Sequence, residues 1–308
     1  MDHTVVFLVT IRKKMILCMC DCYYRYACFF REVVRRVAVT TALWQSVGFA
    51  HGVLNTDNVS ILGLTIDYGP FRFADEFDEH IVPNSSDDEH RYSYSRQPAV
   101  MEENLRHLLS ALSTLMTSEE YRDAENALKS YRAVYRQEYM RAFQRKIGLS
   151  GVEITFDDEI LISELLSIMS DQKADFTAAF RQLSDISLHA LFTAKSKNRK
   201  HLPWALQQIV QHVRFSNWLS QYGQRLKRAG ISDDARRSVM QRANPRYVLR
   251  NWMAQQAIDR AETADFSMIH LLQSVLRTPF KEQSVAEWMG YSGRPPSWSR
   301  NITVSCSS

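Results

Sequence analysis

Apolar side chains recur every three or four residues along most of the chain after position 100. This spacing predicts amphipathic α-helices, because it places the apolar positions on one helix face. The two longest stripes are Leu105, Leu108, Leu109, Leu112 and Leu115, then Tyr121, Ala124, Leu128, Tyr131, Tyr135, Tyr139 and Phe143. Aromatic residues at helical spacing are typical of a packed core rather than of a base-stacking surface. We therefore expect a mainly α protein that is helical from Met101 onward.

Other stretches of the chain show the same period. Near the start, Phe30, Val33 and Val37 fall on one face of a predicted helix over Ala27–Ser46. Glu32 and Arg36 are one turn apart on the opposite face and can pair. Four further predicted helices cover residues 157–169, 175–183, 204–227 and 247–261.

The segment 51–71 interrupts the helical pattern. Its apolar run, 59–66, is rich in β-branched residues and is bounded by turn-forming residues, which predicts a short strand pair. Such a hairpin would bring Asp57, Asn58 and Asp67 together at one end. We expect the oxygens of Asn58 and Asp67 to be close enough for one metal ion to touch both.

The chemistry of these three side chains indicates a metal ion and phosphates. Two carboxylates and an amide oxygen are hard ligands, suited to Mg²⁺ that also binds phosphate oxygens. Protein kinases place an Asp and an Asn on a catalytic loop, followed by an Asp-Phe-Gly turn. Here Asp57 and Asn58 precede Asp67-Tyr68-Gly69 at a shorter spacing.

Two positions in this segment bear on the type of reaction. The catalytic loop of kinases has an Asp two residues after its His, whereas Val53 stands two residues after His51. This substitution argues against ordinary kinase chemistry. His51 itself could be a general base, but we expect it to be a structural anchor of the loop, as the corresponding His is in kinases.

Residues 51–71 closely resemble the signature of the selenoprotein O (SelO) family. The resemblance covers roughly residue 23 to the end of the chain and leaves residues 1–22 outside it. At the C-terminus, Cys306 stands where many animal members carry selenocysteine. Other stretches that carry the resemblance are Phe30–Val34, Trp44-Gln45, Gly69-Pro70-Phe71, Arg96-Gln97-Pro98, Asn244–Trp252 and Pro295–Trp298.

The resemblance implies a protein-kinase-like fold and transfer of AMP from ATP to hydroxyl side chains of proteins. Asp57 would accept the proton of the target hydroxyl or orient it. Asn58 and Asp67 would hold Mg²⁺ against the phosphates of ATP. The family also implies a mitochondrial location, although the first 22 residues do not show the Arg-rich, acid-poor pattern of a transit peptide.

The resemblance divides the chain into three parts. Residues 1–22 form a non-family segment, 23–100 carry the catalytic and metal-binding loops with an activation-like segment, and 101–308 form the helical C-lobe and C-terminal region. Neither a glycine-rich phosphate loop nor a strand lysine precedes Asp57. We therefore expect the N-lobe to be missing and leave the nucleotide-clamping residues unassigned.

Three functions compete for this sequence. The first is SelO-like AMP transfer, with the expectation that this chain is inactive alone because nothing would position the nucleotide. The second is a catalytically inactive, truncated form that acts as a helical interaction protein. The third is a phosphotransferase of the small-molecule kinase type, against which Val53 argues.

Composition narrows the possible partners. The chain has 308 residues, of which 45% are hydrophobic, as in ordinary globular proteins. A formal net charge of +4 is too small to indicate nucleic-acid binding. No apolar run reaches the roughly 18 residues that a membrane-spanning helix needs. We therefore expect proteins and ATP as partners, and neither nucleic acid nor a membrane.

Overall fold

The computed structural model describes residues 24–194 and 201–302. Residues 1–22, which the resemblance leaves out, and Cys306, which stands at the position of selenocysteine, lie outside the described residues. The described part is mainly helical with one two-stranded sheet, which confirms the mainly α prediction. The strands are β1 (Phe49–Ala50) and β2 (Arg72–Phe73). The α-helices are α1 (Arg25–Ser46), α2 (Gln97–Leu112), α3 (Ser118–Lys129), α4 (Tyr131–Lys146), α5 (Phe156–Asp171), α6 (Phe176–Asp185), α7 (Leu188–Ala194), α8 (Trp204–Ile209), α9 (Phe215–Arg228), α10 (Asp233–Ala243), α11 (Asn251–Ala261), α12 (Ser267–Arg277) and α13 (Ser284–Trp288).

The chain divides into two compact units. The smaller unit contains the described residues up to Ala42 together with Leu54–Tyr68 and Arg96–Glu138. The larger unit contains Leu43–Val53, Gly69–Ser95 and the described residues from Tyr139 onward. Each unit is therefore assembled from segments that are far apart in the sequence.

The smaller unit is organised on the first part of α1. Phe30, Val33 and Val37 are almost completely buried there, as the periodicity predicted. The Glu120 carboxylate accepts hydrogen bonds from the backbone N–H groups of Tyr26 and Ala27, at 2.6 and 3.1 Å. These N–H groups have no partner within the helix, so Glu120 caps the N-terminus of α1.

The larger unit has a helical core in which several buried polar groups are paired. The indole N–H of Trp218 donates to the backbone carbonyl of Leu161 at 2.9 Å, and both residues are buried. Arg225 donates to both carboxylate oxygens of Asp158, which is fully buried. Asp158 also accepts from the backbone N–H of Thr155 at 2.9 Å, which closes a capping box at the start of α5.

Two predicted helices have different bounds in the structure. The predicted helix over 204–227 is divided into α8 and α9, because Arg214 lies between them and donates to Glu164 and Asp171 on α5. The predicted helix over 247–261 begins only at Asn251. The backbone N–H of Tyr247 instead donates to the carbonyl of Pro279 at 3.2 Å. In both cases tertiary contacts prevail over local periodicity.

The hairpin predicted within 59–66 is wrong in its position. The two strands that pair are β1 and β2, which precede and follow the segment 51–71, with Phe49 opposite Phe73. Residues 59–66 form a loop with a turn in which the N–H of Gly63 donates to the carbonyl of Ser60 at 3.0 Å. The backbone carbonyls of Leu62 and Gly63 in this loop accept hydrogen bonds from Arg36 and Thr40 on α1.

Candidate active site

Asp57 and Asn58 lie on a single 3₁₀ turn, Thr56–Asn58. The turn is closed by the N–H of Asn58, which donates to the carbonyl of Asn55 at 3.0 Å. Just before the turn, buried Leu54 accepts a hydrogen bond through its carbonyl from the side chain of Asn104 at 2.8 Å. The start of the loop is thus fixed to α2, while Asp57 is exposed to solvent.

Asp67 has a backbone conformation that non-glycine residues rarely adopt. Its φ is +52°, in the left-handed region, and the residue is exposed. Asp is enriched there relative to most residues, yet such a conformation still costs on the order of 1–3 kcal/mol. Strained backbone of this kind is concentrated at functional sites. Asp67 was predicted from the sequence as a metal ligand, and this strain is consistent with a functional role.

The loop between the two acidic positions is attached to α1. Thr40 donates through its hydroxyl to the carbonyl of Gly63 at 2.6 Å, and Arg36 donates to the carbonyl of Leu62 at 3.4 Å. Gly63 has a φ of +69°, and a Cβ there would lie 2.8 Å from the Cβ of Arg36. Only glycine permits this approach. Asp57, Asn58 and Asp67 therefore belong to one compact unit and to one anchored loop.

His51 has the surroundings of a structural residue. It is fully buried, and its ring packs against those of Trp44 and Phe49 with centroid distances of 5.7 and 6.1 Å. A general base must reach the proton of a bound substrate, and burial among aromatic rings does not suit that task. The neighbouring Gly52 has a φ of +88°, and a Cβ there would lie 2.4 Å from the carbonyl oxygen of Pro70.

The structure also shows a buried charge cluster that the sequence did not predict. Arg250 is almost completely buried and donates to both carboxylate oxygens of Asp175, at 2.6 and 3.1 Å. The same guanidinium also donates to the carboxylate of Asp75. Burial raises the pKa of Asp75, and the charge of Arg250 opposes that rise. Burial acts to lower the pKa of Arg250, but the two carboxylates outweigh it and raise this pKa above its usual range.

This cluster fixes the segment that follows Asp67-Tyr68-Gly69. Asn251, next to Arg250, donates through its side-chain amide to the carbonyl of Phe71 at 3.0 Å. The segment is therefore bound at two residues, at Phe71 by Asn251 and at Asp75 by Arg250. In the sequence, only the resemblance of Asn244–Trp252 to the SelO family indicated that Arg250 and Asn251 are important. Their partners lie 175 and 180 residues away in the chain.

The loop carries oxygen donors of the types that Mg²⁺ prefers. Mg²⁺ is usually bound by one or two carboxylates, with phosphate oxygens and water completing its octahedron. Asp57, Asn58 and Asp67 supply two carboxylates and an amide oxygen at exposed or half-exposed positions. Among residues 24–194 and 201–302, no group of three or more His, Cys, Asp or Glu side chains is arranged to hold a metal on its own.

None of the helices in the described part of the chain is both long enough and apolar enough to span a membrane.

A family profile and two curated relatives place the chain in the same family. The sequence profile described as "Protein adenylyltransferase SelO" matches residues 10–277. The match begins within the segment 1–22, which the sequence analysis had placed outside the family. Two similar curated proteins, both named "Protein nucleotidyltransferase YdiU", come from Enterobacter sp. (strain 638) and Myxococcus xanthus (strain DK1622). They are 42% and 43% identical to this chain over 284 and 285 residues. Each alignment covers 92% of the chain and 55% of the relative, so the chain spans about half the length of the curated relatives it matches.

Proposed function

We propose, since the chain belongs to the SelO family, that it is part of a nucleotidyltransferase that transfers AMP from ATP to protein hydroxyl groups. The acceptors would be Ser, Thr or Tyr side chains. The family description names a protein adenylyltransferase, and the two relatives are named protein nucleotidyltransferases. The anchored loop with its exposed acidic side chains supplies residues of the type that this chemistry requires.

Each of the three loop residues has a proposed role. Asp57 accepts the proton of the attacking hydroxyl, or orients that hydroxyl, and its exposed carboxylate is accessible to a substrate. Asn58 and Asp67 provide oxygen ligands for Mg²⁺. The metal, when bound, neutralises charge on the phosphate oxygens of ATP. Nucleotidyl transfer then depends mainly on the positioning of the hydroxyl and of the α-phosphate.

The observation that carries this proposal is the backbone of Asp67. An exposed Asp is held at a φ of +52° on a loop whose other contacts are favourable hydrogen bonds to α1. Gly or Asn would adopt this conformation at lower cost than Asp, which favours a role for the carboxylate itself. A carboxylate at that place can serve as a charged metal ligand, which glycine cannot.

The test of the chemistry compares ATP labelled at the α-phosphate with ATP labelled at the γ-phosphate. The 308 residues are assayed alone and joined to the preceding portion of a full-length relative. We expect α-label in the protein acceptor, and loss of about 100-fold or more with Asp67→Asn, which removes the charge but tolerates the backbone. Asp234→Asn, a change at an exposed position on α10, is the matched control. The resemblance also predicts little transfer by the 308 residues alone.

The outcomes of this assay separate the competing functions. Transfer of γ-label would show a phosphotransferase and overturn the proposal. Transfer of α-label that is unchanged in Asp67→Asn would overturn the assigned role of Asp67. Absence of transfer in both forms would favour the helical interaction protein.

The metal site has a test that does not depend on activity. Mn²⁺ replaces Mg²⁺ in many such sites and is detected by electron paramagnetic resonance. We expect Mn²⁺ to bind in the presence of a non-hydrolysable ATP analogue, and Asn58→Ala and Asp67→Asn each to weaken this binding. If only one of the two substitutions weakened it, Asn58 and Asp67 would not share one ion.

A further inference from the structure

The larger unit contains a cavity of about 480 Å³. This volume is in the range of ligand-binding cavities in proteins. The walls come from the segment after β2, from the start of α8 and from residues 294–300. Its charged lining consists of Arg72, Lys173, Arg294 and Arg300 with Asp75 and Glu76.

Both acidic side chains of the cavity are already paired. Asp75 accepts from the buried guanidinium of Arg250, which does not line the cavity. Glu76 forms an ion pair with Arg300 at 2.6 Å. Arg250 is shared between Asp75 and Asp175, but the lining itself holds four cations and only two carboxylates, so the cations determine the charge that a ligand meets.

Two of these cations have no carboxylate partner. Lys173 and Arg294 are exposed, and neither forms an ion pair with any residue in the described ranges 24–194 and 201–302. Arg72 donates to the backbone carbonyl of Ile302 at 3.3 Å, a neutral acceptor. The cavity consequently presents a surplus of positive charge to solvent.

The cavity also has an apolar wall that suits a peptide. The guanidinium of Arg294 lies 5.3 Å from the ring centroid of Trp204, a cation–π arrangement that keeps the indole in place. Pro295 and Pro296 stand next to Arg294, and Pro296 has the extended φ and ψ of −63° and 149°. Aromatic side chains that line a groove bind extended peptide segments in several families of recognition domain, and clustered Arg side chains bind acidic motifs.

We propose that this cavity docks an acidic, extended segment of the protein that is to be modified. Carboxylates of that segment would pair with Lys173 and Arg294, and an apolar side chain would pack on Trp204. The inference rests on the proposed function, because it states which class of protein the enzyme selects.

Binding is measured directly, without any transfer reaction. The probe is a fluorescent peptide that contains one Tyr and several Glu residues, and the control peptide has Gln in place of each Glu. We expect the Glu peptide to bind more tightly, with an affinity that falls as salt is raised. The double variant Lys173→Glu/Arg294→Glu should weaken this binding by about tenfold or more, since two attractions become repulsions.

A matched variant controls for the total change in charge. Lys227 and Lys281 are exposed and lack an ion pair with any other described residue, and neither lines the cavity. Lys227→Glu/Lys281→Glu should therefore bind the Glu peptide almost as well as the unmodified protein. If the reversal at Lys173 and Arg294 prevented folding, the milder Lys173→Gln/Arg294→Gln would replace it, with an expected loss of about threefold to tenfold.

The transfer assay separates this inference from the proposed function. Reversal of the two cations should raise KM for the Glu peptide and leave kcat nearly unchanged, whereas Asp67→Asn should abolish transfer and leave peptide binding intact. Binding that depends on Lys173 and Arg294 without any transfer would refute the function and keep the docking site. Equal affinity for the Glu and Gln peptides, or a preference for a single-stranded oligonucleotide, would overturn the docking site.

Discussion

The loop Leu54–Tyr68 and the buried cluster around Arg250 represent two ways to hold acidic side chains. In the loop, neighbouring side chains bind the backbone carbonyls of Leu54, Leu62 and Gly63, and the carboxylates stay exposed. In the cluster, Arg250 binds the carboxylates of Asp75 and Asp175 themselves. The first arrangement leaves oxygen atoms available for a ligand. In the second arrangement the oxygen atoms already accept hydrogen bonds from Arg250, and this pairing stabilises the segments that carry the carboxylates.

This difference distinguishes acids that are available to a ligand from structural acids. A carboxylate that already accepts from a buried guanidinium has little capacity left for a metal, and removing its partner is costly. An exposed carboxylate on a backbone-anchored loop keeps its position and its free lone pairs. Substitutions in the two regions should therefore differ most in their effect on stability.

The largest expected effect comes from Arg250. Arg250→Met would leave the buried carboxylate of Asp175 and the half-buried carboxylate of Asp75 without their partner, at a cost of about 3–5 kcal/mol in the free energy of unfolding. Urea denaturation followed by circular dichroism measures this. Arg228→Met, which breaks an exposed pair with Asp157 at 2.8 Å, is the control and should cost no more than about 1 kcal/mol. Similar losses in both variants would show that the cluster contributes no more than a surface pair.

Lys146 extends the comparison, because it is a buried basic side chain that, unlike Arg250, pairs with an amide oxygen and not with a carboxylate. Its ammonium donates to the amide oxygen of Asn244 at 2.7 Å and lies 4.1 Å from the ring centroid of Phe180. Burial lowers the pKa of Lys146 to about 7, against an ordinary value of 10.5. Between these values the unfolded chain binds a proton that the folded chain lacks. The free energy of unfolding should therefore rise from pH 7 to pH 9, by up to about 1.4 kcal/mol per pH unit.

Lys146→Met tests whether this residue causes the pH dependence. The variant has no titrating group at the site, so its free energy of unfolding should change much less between pH 7 and pH 9 than that of the unmodified protein. Urea midpoints measured at several pH values give the comparison. An equally steep rise in the variant would assign the dependence to other groups.

A smaller loss of stability is expected at the base of the loop. Asn104→Ala removes the hydrogen bond to the carbonyl of Leu54 and leaves that buried acceptor without this partner, at a cost of about 1–3 kcal/mol. The loop should also become more mobile, so AMP transfer should fall more than global stability does. Hydrogen exchange of the amides of residues 54–68 reports the local change. Unchanged exchange there would show that Asn104 does not anchor the loop.

The smallest effect has the opposite sign. Asp67→Gly removes the cost of a left-handed backbone and should raise the free energy of unfolding by about 0.5–1 kcal/mol, since no buried contact is lost. The same substitution should abolish AMP transfer. A stabilised but inactive variant would show that the strain at Asp67 is kept for function. A destabilised variant would instead give this Asp a structural role.

The sequence alone determined the features that depend on local periodicity and residue chemistry. Repeats of three and four residues predicted α1 and the helices after Met101, because helix formation buries one face of a contiguous stretch. The order of Asp57, Asn58 and Asp67 indicated oxygen ligands, and together with the longer motifs it identified the SelO family. All of this information lies within short segments of the chain.

Only the tertiary structure decided which distant groups meet. Residues 59–66 have the composition of a strand, but they form a loop that accepts hydrogen bonds from α1, and the strands that pair are β1 and β2. Arg250 meets Asp75 and Asp175 across 175 and 75 residues of chain. A buried charge needs a partner of opposite charge. The sequence around that charge does not show which residue the partner is, because this depends on how the helices pack.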